Sequence, residues 1–188
     1  MKILCAEYNT AREMAIIPIG DDALLRNNGD FYIPEYTREV SCVPQLVVKI
    51  CKLGKCVSER FACRYYDEMG IGVRFYADTL EKELEEKGLP LIMASSFDSC
   101  AAISDMSIVD GRDFEYEMLV NDASVFIGKI SDLPVSVDRI VAMAGTFHTL
   151  KIGDYMFCGN PFRYRNVKRD DQIKVFVNGK KIMDFGVK

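Results

Sequence analysis

Gly72 to Pro90 reads GVRFYADTLEKELEEKGLP, and the pattern changes partway along it. Val73 to Phe75 reads as a short strand. Thr79 to Lys87 is a charged helix, which Gly88 and Pro90 bring to an end. Upstream, Gln45 to Cys51 (QLVVKIC) is β-branched and continuous, as in a largely buried strand. Between them Ser58 can cap a second helix. On it Phe61, Tyr65 and Met69 lie four apart, with Gly70 just past its end.

Further out, Met1 to Leu4 reads as an opening strand. Asp22 to Tyr36 carries turn chemistry, Asn27-Asn28-Gly29 and Ile33-Pro34, around short apolar pieces and reads as strands joined by tight turns. The C-terminal part predicts a helix over Val137 to Ala144 and strands at Tyr155 to Cys158 and Gln172 to Val177. Asn178-Gly179 is a hairpin turn before a closing strand, Lys181 to Phe185. Strands outnumber helices and do not alternate strictly with them. The expected class is therefore α+β, mostly β, and not a doubly wound sheet.

The chain has 188 residues, enough for one domain or one domain with small additions. Apolar residues make up 49% and charged residues 28%, which excludes disorder. A net charge of -4 gives no basic footprint, so nucleic acid is not an expected partner. The basic run Arg163, Arg165, Lys168, Arg169 is followed by Asp170 and Asp171 and reads as a solvated loop. Seven cysteines, with no C-x-x-C pair and no signal-like segment, point to reduced thiols in the cytoplasm. A zinc site would need several of those thiols to converge with His148, the one histidine. A nucleophile pair would also have to be built on His148, for which packing or capping at a helix end is the simpler role. No apolar run approaches the roughly 18 residues of a membrane span, so no membrane partner is expected. No dinucleotide or phosphate loop and no serine elbow is present.

Five stretches together resemble the fumarylacetoacetate hydrolase family. They are DALL (Asp22–Leu25) with FYIP (Phe31–Pro34), QLVVKICKLGK (Gln45–Lys55), Gly72–Pro90, ASSFDSCAAIS (Ala94–Ser104) and TLKIGDYMFCGNP (Thr149–Pro161). They come in the family's order over nearly the whole chain, nearest to its acylpyruvase and 2-hydroxyhepta-2,4-diene-1,7-dioate isomerase branch. The resemblance implies a mixed β-sandwich roll in one domain, 1–188, with a shortened N-terminal lid at about residues 5–20. It also implies a homodimer, and a Mg²⁺ or Mn²⁺ ion that chelates small oxo or β-diketo acids.

In the family that ion is held by an E-x-E pair and a later aspartate. Glutamates two apart on a strand share a face, which is why the spacing suits a hard cation. The matching positions here are Val43, Gln45 and Arg74: no ligand, a neutral carbonyl and a permanent cation. The family's lysine falls at Ser95, a second lysine near Ile19, and the Gly-Thr-Pro threonine at Asn160. Phe162, Arg163 and Tyr164 replace glycines that follow it. Tyr8 to Ile17 carries no histidine to match the family's lid. Asp78 stands where the family has arginine, so Arg74 and Asp78 read either as a pair of exchanged sign or as two unrelated changes. Glu115-Tyr116-Glu117 is the one E-x-E on a predicted strand, either a wet face or a displaced metal site.

These departures imply a family protein without the metal ligands and catalytic lysine: no cofactor, no catalytic residue, and a binding or regulatory role. Val43, Gln45, Arg74, Asp78, Ser95 and Asn160 would form the altered pocket, with a small carboxylate as its ligand. The alternative is an enzyme with rewired, metal-independent chemistry on small oxo or β-diketo acids. In it Arg74, Gln45 and Asn160 hold the substrate carboxylate. It lacks a general base at the matched positions, and Asp98 is the remaining candidate.

Overall fold

The structure, a computed structural model, describes residues 1–8, 13–107 and 113–188. Strands β1 (Ile3–Tyr8) and β2 (Met14–Ile19) pair antiparallel and are followed by the short β3 (Leu24–Leu25). The long β4 (Val40–Ile50) leads through a one-turn helix α1 (Glu59–Ala62) into the long β5 (Tyr66–Ala77). Helix α2 (Asp78–Glu86) follows β5 without a break. Then come β6 (Ala101–Ile103), β7 (Glu115–Val120), β8 (Ala123–Lys129), α3 (Val137–Phe147), β9 (Tyr155–Phe157), β10 (Tyr164–Val167), β11 (Gln172–Val177) and β12 (Lys180–Gly186).

One sheet runs β2-β1-β9-β4-β5-β6-β3, with β10 also paired to β4; the other runs β12-β11-β7-β8. Strand β1 is parallel to β9 and β3 to β6, while the remaining pairs are antiparallel, so the first sheet is mixed. Aromatic rings tie the two sheets together. Phe75 of β5 stacks on Phe31 with centroids 3.7 Å apart and meets Phe185 of β12 edge-on at 6.2 Å. This is the mostly β, α+β roll expected from the sequence.

Two local expectations fail. The helix predicted from Ser58 to Met69 stops at Ala62, and Met69 and Gly70 lie inside β5. The four-residue spacing of Phe61, Tyr65 and Met69 fits a helix locally. Pairing of β5 with β4, from Ile50↔Tyr66 to Val40↔Ala77, overrides it. Gly70 is thus a close-packing position rather than a helix cap: a Cβ there would lie 2.8 Å from both Met106 Sδ and Ser104 Oγ. Of the strands expected over Asp22 to Tyr36, only Leu24–Leu25 forms one, beside a single bridge from Phe31 to Val187. Asn27 and Asn28 both take positive φ, 58° and 51°, and carry the chain round as a turn.

Candidate active-site cleft

Alternation along the β4–β5 pair decides what faces the site. Val43 sits opposite Arg74, Gln45 opposite Gly72 and Ser41 opposite Tyr76, so these six residues share one face of the sheet. Above that face lies a cleft of about 570 Å³. Val43, Ser95 and Asn160 line it, joined by Glu7 from β1, Tyr76 from β5 and Arg163 from the loop after β9. The loop can pass close to β1 because residue 159 is glycine: its φ is +74°, and a Cβ would lie 2.3 Å from the Tyr8 ring.

Arg74 is fully buried, and its environment is asymmetric. Nη2 donates to the Ser95 carbonyl oxygen, and Nη1 stands 3.5 Å from Glu7 Oε1. Nε and Nη1 have no hydrogen-bond partner, and neither has Gln45 Oε1. Burial works against the Arg74 charge, but Cys5, Tyr76, Glu7 and Cys100 outweigh it and hold its pKa above the ordinary arginine value. The guanidinium is therefore a fixed cation. Tyr76 lies between two of them, with Arg163 Cζ at 4.4 Å and Arg74 Cζ at 5.3 Å from its ring centre. Burial pushes the Tyr76 phenol well up, so it stays protonated and donates to both Glu7 carboxylate oxygens at 3.0 Å.

Asp78 is not the partner of Arg74. It accepts from Arg163 Nη2 and, at 2.7 Å, from Ser41 Oγ; Arg163 also reaches Glu81 at 2.7 Å. The reason is geometric. Arg74 leaves a strand toward the cleft floor, whereas Asp78 opens α2 and faces β4 and the loop carrying Arg163. The basic run reads as a solvated loop, and Arg165, Lys168 and Arg169 are exposed, but Arg163 is largely enclosed, 22% exposed against 61% for Arg165. Ser95 contributes its carbonyl rather than its hydroxyl, whose weak contact is with Ile92 O at 3.4 Å. Asn160 is held on three sides, donating to Pro44 O at 2.9 Å and to the Tyr116 hydroxyl Oη at 3.4 Å and accepting from Phe162 N at 2.9 Å.

Sequence reasoning missed Glu7 and Tyr76 as cleft residues, whereas Arg163, in place of a family glycine, is expected to crowd the pocket and does line the cleft. Tyr76 was within reach, since it lies two residues from Arg74 on one strand. Nothing local marks Glu7. The expected lid region, residues 5–20, is here the β1–β2 pair, with Asn9 to Arg12 outside the described residues. Glu115 is exposed and Glu117 half-buried on β7, the wet-face arrangement, while Tyr116 between them turns inward. His148 closes α3 through its backbone N–H to Ala144 O at 2.8 Å.

No family model matches the chain. The chain is 28% identical over 200 residues to the mitochondrial oxaloacetate tautomerase FAHD1 of Bos taurus, covering 98% of this chain and 90% of that one. Its fold matches the Pseudomonas aeruginosa fumarylpyruvate hydrolase in complex with Mn²⁺ and pyruvate at a TM-score of 0.89, with 19% identity over 100% of this chain and 89% of that one. A Yersinia pestis CO92 protein placed in the fumarylacetoacetate hydrolase family also matches at 0.89, with 22% identity over 100% and 92%. The relatives support membership of the fumarylacetoacetate hydrolase family, and the solved structures share its fold. Among the described residues no helix is long and apolar enough to cross a membrane.

The Mn²⁺ in the Pseudomonas enzyme corrects one expectation. That neighbour of the same fold is in complex with Mn²⁺, and the absence of any cofactor, inferred from three substituted positions, is withdrawn. The structure bears only on those positions. Val43 offers no donor, Gln45 offers one neutral carbonyl, and the guanidinium of Arg74 carries a positive charge there. Its Nε and Nη1, free of hydrogen bonds, are donors, which suit an anion, so these three residues do not fit a hard dication. Among the described residues no group of three or more His, Cys, Asp or Glu side chains is placed to hold one.

Proposed function

We propose that this family protein binds a small carboxylate in the cleft and does not turn it over. The observation that carries the reading is Arg74: a buried guanidinium beneath a cleft, whose Nε and Nη1 make no hydrogen bond and whose Nη1 has only the 3.5 Å ion pair with Glu7, favours an anionic acceptor. The ligand's carboxylate would come to Arg74 where Glu7 now stands, with Val43, Ser95 and Asn160 as the surrounding wall. Asp78 serves this site at one remove by fixing Arg163 over Tyr76. Loss of catalysis is supported by the missing lysine at Ser95 and the missing histidine, since members of a catalytic unit fail together. Oxaloacetate supplied with Mg²⁺ or Mn²⁺ tests this. Calorimetry is expected to show binding, while absorbance shows neither enol–keto exchange nor decarboxylation above the solvent rate. Turnover at about 1 s⁻¹ or faster would remove the non-catalytic reading.

One observation favours a second reading, an enzyme acting on small oxo or β-diketo acids. Glu7 and Tyr76 are hydrogen-bonded at 3.0 Å within the cleft, a proton acceptor beside a proton donor, as keto–enol exchange requires. In that case exchange is measurable and Glu7→Gln abolishes it.

We also propose a homodimer, supported by the exposed Leu53, Phe147 and Ile152 near the Gly54–Leu150 bridge. Seven free cysteines support a reducing compartment, and the cytoplasm is our placement; the FAHD1 relatives are mitochondrial by name.

A further inference from the structure

A second cavity, of about 210 Å³, meets the main cleft at Asn160 and Pro161, which line both. Its inner wall is aromatic. Phe126 packs on Tyr116 with ring centres 5.4 Å apart and on Phe162 at 4.9 Å, and Leu133 and Pro134 complete the lining. The two charged residues at this cavity, Lys129 and Asp132, are exposed, and the backbone N–H of Lys129 binds Asp132 Oδ2 at 3.1 Å.

The shared wall is rigid for a stated reason. The Asn160 amide spans from Pro44 O to the Tyr116 hydroxyl Oη while its carbonyl takes the Phe162 N–H, so one side chain ties β4, the Tyr116 ring of β7 and the loop together. Gly128 keeps the Phe126 ring in place, because a Cβ at that position would lie 2.6 Å from the ring. The annex is thus an apolar recess next to a cleft of mixed lining that holds Glu7, Glu81 and Arg163, the division expected of a site for an amphipathic small molecule.

We propose that the ligand of the main cleft is a carboxylate carrying an apolar alkyl or aryl arm, and that the arm lies in the Tyr116–Phe126–Phe162 annex. The inference rests on the carboxylate-binding reading and adds the ligand's second half. Removing one methylene from water is worth about a fourfold gain in affinity, so the annex has a graded signature.

The test is calorimetric titration of the full chain with pyruvate, 2-oxobutyrate, 2-oxovalerate and phenylpyruvate. Affinity is expected to rise about fourfold per methylene along the aliphatic members, with phenylpyruvate tighter than pyruvate. Phe126→Ala and Leu133→Ala should flatten that rise and leave pyruvate unchanged. If pyruvate binds and the wild-type series is flat or falls, the annex proposal is overturned and the carboxylate reading stands. If no member binds, both fall. Should a variant fail to fold, the slope of the wild-type series alone decides the question.

Discussion

Arg74, buried beneath the cleft, stands with Nη1 3.5 Å from Glu7 Oε1, and Glu7 in turn holds the Tyr76 hydroxyl. This places a carboxylate of the chain itself where a ligand carboxylate would compete for the same cation. Breaking a fully buried ion pair costs about 3–5 kcal/mol. The Glu7 side chain is 27% exposed, so Glu7→Gln is expected to cost less, about 1–3 kcal/mol in urea unfolding. The same variant should bind pyruvate roughly tenfold more tightly, because a competing charge is gone. Weaker binding by a folded Glu7→Gln protein would contradict this competition.

The pairing itself is open to a double-mutant cycle. Arg74→Met with Glu7→Gln should show a coupling of about 1 kcal/mol or more, and Arg74→Met with Asp78→Asn about 0.5 kcal/mol or less. Asp78 is committed to Arg163 and Ser41, so its loss is felt there. A larger Arg74–Asp78 coupling would restore the exchanged-sign pair suggested by the sequence.

Much of the fold was legible because its signals are local. Gln172–Val177 forms as expected, and Asn178-Gly179 turns with φ of 47° and 78°, which matches a hairpin connection. The inward direction of Arg74 is implied by the family resemblance, which sets a pocket-facing aspartate at that position, and alternation keeps that direction for its replacement. What was not legible lies in contacts distant along the chain. Glu7 comes to Arg74 through β1, which reaches β4 only by way of β9. Arg163 carries the composition of a solvated run and is drawn in by Asp78 and Glu81, neither of which its own segment reveals. The start of β5 was misread because a four-residue apolar spacing is compatible with a helix until β4 is there to pair with it.

The thiols give a pH dependence of defined sign. Burial pushes Cys5 from 9.0 up to about 12, and burial raises Cys42 and Cys158 as well. The unfolded chain releases such a proton from about pH 9, while the folded chain keeps it. This contribution to stability is therefore complete below pH 9 and is lost as pH rises toward 12. The urea midpoint should fall over that window, and less so for Cys5→Ala. At pH 8 iodoacetamide should modify only Cys51, Cys56 and Cys63 in the native protein, the other four being buried. Native-state labelling of Cys5 would contradict the packing around Arg74.

Gly72, opposite Gln45, sets how closely β9 lies against this floor. A Cβ there would sit 2.4 Å from the Phe157 ring and 2.9 Å from the Ala102 carbonyl oxygen. Gly72→Ala is expected to cost about 1–3 kcal/mol by overpacking, read from thermal or urea unfolding. A neutral result would show that the floor can shift.

The most direct test of the account is titration of pyruvate into wild-type and Arg74→Met protein, with folding of both verified by circular dichroism. If Arg74 is the anion's counter-charge, the wild type binds one pyruvate per chain and the variant binds at least about tenfold more weakly, a difference of about 1.4 kcal/mol. Equal affinity in the two proteins, or no binding by the wild type, would contradict it.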